Sequence, residues 1–178
     1  TILDAGRSIT HKDIIVKYKV FANDFLSRTR GLNEEHAFIN GTSVFMFCPK
    51  FYDKPVMLNV IPYKNWHVTT GLDNYNNDPF TFIAPNYDYL VDCPLEIGTQ
   101  TDFDFDVEGK KHTISFFGNA NYDKQKLISD FTTIIKKNFE FWESVPYDNY
   151  TFIVHCTPQS GGGTEHINST VVGVKPTA

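Results

Sequence analysis

One stretch of this chain is spaced like a helix, and most of the rest alternates with a period of two. From Asp123 to Trp142 the apolar residues Leu127, Ile128, Phe131, Ile134, Ile135, Phe139 and Trp142 recur every three or four positions. That spacing lays one apolar stripe along an amphipathic helix. Asn121 and Asp123 stand where an N-cap belongs, and Ser144-Val145-Pro146 closes the segment. Upstream, Phe103, Phe105 and Val107 share one strand face while Asp102, Asp104 and Asp106 share the other. Glu108-Gly109 then turns the chain, and Lys110 to Phe117 returns as the hairpin partner. One long helix among many short alternating runs means a mainly β protein. Aromatic content of 15%, with 16 Phe and 9 Tyr, suits strands around a well-filled core.

The same reading places the other strands. Ile14, Val16, Tyr18 and Val20 fall on one face of a half-buried strand over residues 14–22, opposite Lys17 and Lys19. His36 to Phe47 is strand-like on both sides of an Asn40-Gly41 turn, with Val44 to Phe47 a continuous apolar run. Val56–Ile61, Trp66–Thr70 and Phe80–Ile83 are further short strands. Residues 84–98 contain two prolines and mixed periodicity, which reads as a structured loop with a short turn or helix, not a central strand. Tyr150–Cys156 and Ile167–Val174 complete the set. The expected architecture is an antiparallel, β-sandwich-like N-terminal domain over residues 1–117 and a partial α/β unit over 118–178.

Charge and motif narrow the function. With 16 Lys+Arg against 21 Asp+Glu the formal net charge is -5, so no basic face is expected for nucleic acid. No run approaches the ~20 apolar residues of a membrane span. Thr1 to Asp13 lacks the apolar core of a signal peptide. The three cysteines, Cys48, Cys93 and Cys156, show no CxxC spacing and so no zinc knuckle. The Asp triplet runs along a strand opposite Lys110 and Lys111, without the loop glycine and closing glutamate of an EF-hand. The residues set no oligomeric state.

Near the C-terminal end stands Ser160-Gly161-Gly162-Gly163-Thr164-Glu165-His166. Three glycines strip the side chains from a short run of backbone; a carboxylate and an imidazole follow. On the residues alone this is either a flexible loop with an exposed Glu-His pair or a bare edge strand. As an edge strand it would accept an extended peptide through main-chain hydrogen bonds. Glu165 would then meet one end of that peptide, where a carboxylate suits a free α-amino group.

Several ordered segments resemble the glycyl aminopeptidase family of zinc metallopeptidases, peptidase family M sixty-one. They are Tyr18-Lys-Val-Phe-Ala22 through Leu26-Ser-Arg-Thr29, Phe38-Ile-Asn-Gly-Thr-Ser-Val44, Trp66-His-Val-Thr-Thr70, Tyr87-Asp-Tyr-Leu-Val-Asp-Cys-Pro-Leu-Glu-Ile-Gly98 and Gly162-Gly-Thr-Glu-His-Ile-Asn-Ser-Thr170. The resemblance implies a β-rich N-terminal domain, then a thermolysin-like catalytic domain that removes small N-terminal residues such as glycine from peptides. It assigns the substrate amine to Glu165, the substrate backbone to Gly161, Gly162 and Gly163, and a neighbouring place to His166. It also implies zinc on a His-Glu-x-x-His helix. None of the six histidines here (His11, His36, His67, His112, His155 and His166) is followed by Glu, and no two lie four apart. The expectation is therefore a chain cut before its zinc helix, without bound zinc or catalytic residues of its own, inactive by itself and belonging to a zinc aminopeptidase when whole. Asp92 and Glu96 are possible rim groups of the peptide cleft. Two other readings stay open: a non-catalytic β-sandwich that binds or scaffolds, and a carbohydrate-binding sandwich that uses exposed Trp66 and Tyr residues.

Overall fold

A computed structural model describes residues 14–176. The signal-peptide expectation concerns residues outside that range. In chain order the strands are β1 (Asn23–Asp24), β2 (Arg30–Leu32), β3 (His36–Ile39), β4 (Val56–Asn59), β5 (His67–Thr70), β6 (Asp73–Asn74) and β7 (Thr81–Ala84). The helix α1 (Tyr87–Val91) leads to β8 (Leu95–Gly98), β9 (Thr101–Val107) and β10 (Lys110–Gly118). The long helix α2 (Lys124–Trp142) precedes β11 (Asn149–Cys156), β12 (Gly163–Glu165) and β13 (Ser169–Val174).

Three sheets result. The first has the order β1-β2-β3-β8-β5 and the second β4-β7-β6, and their pairs are antiparallel. The third has the order β12-β13-β11-β10-β9. Its centre is parallel, β10 against β11 and β11 against β13, and its outer pairs are antiparallel. A parallel pair needs a long crossover, and α2 supplies it between β10 and β11. The Asp123 carboxylate caps α2, accepting from the Gln125 and Lys126 amides at 2.9 and 3.0 Å. Leu127, Ile128 and Phe131 pack onto Phe103, Ile114 and Val154 of the sheet. The first and third sheets meet where Phe38 packs with Ile153 and Val171.

The mainly β class stands, and so do the 101–117 hairpin, with Asp102, Asp104 and Asp106 exposed, and the long helix. Four details differ. Residues 14–22 form no strand and Ile14 to Val20 are exposed; an alternating pattern needs a neighbouring strand to pair with, and none of the described residues provides one. Residues 44–47 are irregular, because Asn40 caps a short helical turn over Gly41–Ser43 that leads the chain away from β3. Residues 84–98 do contain a short helix, but they end in β8, which lies between β3 and β5 and is buried throughout. Finally, a boundary at residue 117 would divide one sheet, since β9 and β10 pair with the strands that follow α2; the change of sheet falls at Thr99–Gln100.

One buried histidine in the third sheet makes stability depend on pH. His112 is 0% exposed; its Nδ1–H donates to the Lys110 carbonyl at 2.9 Å, and its Nε2 accepts from the Tyr147 hydroxyl at 3.1 Å. Burial pushes the Tyr147 hydroxyl up to about 12 and holds His112 below its ordinary 6.5. The unfolded chain therefore takes up this proton more readily than the folded one. The stability tied to His112 is complete above its unfolded pKa and is lost as pH falls through the lower folded value. Urea unfolding between about pH 7 and about pH 5 should show a falling midpoint, with a shallower fall in His112→Gln.

Candidate functional site

The strand β12 lies at the end of the third sheet, so one of its edges pairs with β13 and the other pairs with no strand among the described residues. Gly163 faces Val172, Thr164 faces Val171 and Glu165 faces Thr170. Gly161 and Gly162 lead into this edge strand, and the Gly173 amide donates to the Gly162 carbonyl at 2.9 Å. Gly162 has a φ of 77°, a conformation glycine adopts without strain. A Cβ on Gly161 would meet nothing within 4 Å. Internal packing therefore does not require glycine there; the space beside it is open.

Glu165 is exposed, and its carboxylate has no ion-pair or hydrogen-bond partner among the described residues. Burial raises the pKa of the Tyr150 hydroxyl, and the negative charge of Glu165 nearby raises it further. His166 turns the other way. Its side chain is 5% exposed, and Nδ1 donates to Asp92 Oδ1 at 2.9 Å. The Ile167 amide donates to Asp92 Oδ2 at 2.9 Å. Adjacent strand residues point to opposite faces, so the backbone that sends Glu165 outward carries His166 inward.

The hairpin between β12 and β13 is fastened to the N-terminal half. Asn168 is buried and donates from Nδ2 to the Gly71 carbonyl at 2.7 Å and to the Tyr89 hydroxyl at 3.1 Å. Its Oδ1 accepts from the Cys93 thiol, whose pKa burial pushes up to about 12. Gly71 leaves room for it, since a Cβ there would collide with Asn168 Oδ1. Thr164 Oγ1 donates to Ser27 Oγ at 2.9 Å. The exposed carboxylate thus sits on a bolted turn.

Of the two expected rim groups, only Asp92 reaches this hairpin. Glu96 is instead enclosed between the sheets. Its Oε1 accepts from His36 Nδ1 at 2.6 Å and its Oε2 from His155 Nε2 at 2.7 Å. Burial works against ionisation of Glu96, but the two imidazoles together outweigh it and hold the carboxyl below its ordinary range. These three residues escape sequence reasoning because they are far apart in the chain. The available sign is that Glu96 and His155 each interrupt an apolar run, Leu95-Glu-Ile and Val154-His-Cys, and that His36 stands at the head of one, His36-Ala-Phe-Ile. The carbohydrate reading loses its tryptophan, since Trp66 is only 7% exposed.

Comparison with known proteins bears on the family of the chain. The model of the Peptidase M61 N-terminal domain matches residues 7–99, just over half of the chain, ending where the first sheet gives way to the third. A solved structure of an aminopeptidase N family protein from Idiomarina loihiensis is similar with a TM-score of 0.84 at 29% identity. The match covers 88% of this chain and 28% of that one. No curated protein matches the chain.

Proposed function

Because the chain belongs to the Peptidase M61 family, we propose that it serves in removing N-terminal residues from peptides, and that the open edge of β12 receives the substrate's free amino end. The observation that carries this reading is an exposed carboxylate, without a partner among the described residues, at the end of an edge strand that a run of glycines leads into. The peptide main chain would pair along Gly161, Gly162 and Gly163 in the extended conformation. Glu165 would take the α-ammonium group in a charge-assisted hydrogen bond. A fixed anion at that distance selects for a free amine and sets which bond is presented for cleavage. His166 would act by holding the turn through Asp92 and not by touching the peptide. The preference for small first residues, glycine above all, belongs to this reading.

Zinc, where the whole protein carries it, would supply a Lewis acid for the scissile carbonyl and a more acidic water. Side chains that match its His-Glu-x-x-His motif do not occur in these 178 residues, so no hydrolytic step is assigned to them. In a catalytically competent protein carrying this chain, Glu165→Ala should lower kcat/KM for free-amine peptides by about 10- to 100-fold. That is the factor expected for a lost hydrogen bond to a charged group, ~1.5–3 kcal/mol. Cleavage of the same peptides with acetylated N-termini should barely change. A variant that keeps the wild-type preference for free amines removes Glu165 from amine recognition.

A further inference from the structure

We propose that His36, Glu96 and His155 bind one divalent first-row metal ion, zinc being the best match, at the junction of the first and third sheets. The three come from β3, β8 and β11, and their donor atoms lie within 4.8 Å of one another. They are 3%, 0% and 4% exposed. Two imidazole nitrogens and a carboxylate form a donor set suited to zinc and its neighbours. Both rings are held in place before any ion arrives. His36 is stacked between Phe117, with centroids 3.3 Å apart, and Phe25, at 4.8 Å. His155 stands edge-on to Phe38 at 4.9 Å.

A second observation points to the same place. Gln100 is 5% exposed, and its Nε2 is spent on Thr69 Oγ1 at 2.9 Å and the Glu96 carbonyl at 3.2 Å. Its Oε1 is buried without a partner. This oxygen lies beside the cluster: a Cβ on Gly98 would meet His36 Cβ at 2.8 Å and Gln100 Oε1 at 3.2 Å. Protons on the two imidazoles would satisfy Glu96 but leave this neighbouring amide oxygen orphaned, at the cost that buried unpaired acceptors carry. An entry path exists, because His36, Gln100 and His155 all line a cavity of about 1230 Å³. The site is made wholly of residues in this chain, so it stands or falls independently of the peptidase reading.

The test is zinc uptake by the 178-residue chain after treatment with chelator, measured by equilibrium dialysis and metal analysis. One zinc per chain is expected, with a higher Tm when zinc is present. Glu96→Gln and His155→Gln should each weaken zinc binding more than tenfold. X-ray absorption of the zinc-loaded wild type should show two imidazole ligands with oxygen neighbours, and this reading does not depend on whether the variants fold. No stoichiometric uptake, a shell of oxygen ligands alone, or binding unchanged in both variants overturns the proposal and leaves a cluster joined by protons.

Discussion

Glu96→Ala is expected to cost the fold about 3–5 kcal/mol when metal is removed by chelator, the range seen when one partner of a buried charged cluster is deleted. The Glu96 carboxylate is fully enclosed, and its two oxygens accept from two imidazoles on different sheets. Its removal leaves His36 Nδ1 and His155 Nε2 without their acceptor, and each stranded donor costs ~1–3 kcal/mol. It also opens a gap in β8, the strand that joins β3 to β5. Glu96→Gln should cost less, about 1–2 kcal/mol, because the amide oxygen still accepts from one ring while its NH2 group faces the other. Chemical unfolding of the three proteins should order them wild type, Gln, Ala. Equal midpoints for wild type and Ala would mean that the His-Glu-His cluster contributes nothing to holding the two sheets together.

The same residue explains what could and could not be read from the sequence. The helix α2 and the hairpin of β9 and β10 were legible because their periodicity is local and long; of the two lysines after the turn, Lys111 balances the Asp face through Asp104, while Lys110 pairs with Asp148. The glycine run was legible only as either a loop or an edge strand, and the fold places Gly163 alone of the three in the edge strand β12, with Gly161 and Gly162 leading into it. The strand β8 was not, because Leu95-Glu96-Ile97 places a carboxylate where a buried strand should be apolar. Only the fold brings His36 and His155 to it, from sixty and fifty-nine positions away. The inward turn of His166 was hidden for the same reason: its partner, Asp92, lies seventy-four residues upstream. Residues 14–22 show the converse error. Their alternation is as regular as that of β9, yet period-two spacing describes only one strand's own faces and says nothing of whether a neighbour exists.

Gly173→Ala and Gly161→Ala should separate the packing role of the glycines from their place beside a substrate. A Cβ on Gly173 would collide with the Gly161 amide nitrogen and lie 3.0 Å from its Cα and carbonyl oxygen. These are backbone atoms and cannot swing aside, so the glycine run must move off β13 and the bond from the Gly173 amide to the Gly162 carbonyl must lengthen. Overpacking of this kind costs ~1–3 kcal/mol. In a competent peptidase, a shift of the edge strand by about an ångström should lower turnover of free-amine peptides about a hundredfold. Gly161→Ala is the opposite case, with nothing within 4 Å of the new methyl group. Its stability should hold or rise slightly, by ~0.4–1 kcal/mol, because the unfolded chain loses freedom. Peptide cleavage should nevertheless fall about tenfold, since the methyl occupies the space through which a peptide backbone would approach and loosens one main-chain hydrogen bond worth ~1 kcal/mol. Stability unchanged and activity reduced is a combination that a mere surface loop does not produce. Wild-type cleavage by Gly161→Ala would return the glycine run to the status of a loop and leave Glu165 without the docking edge that gives its charge a purpose.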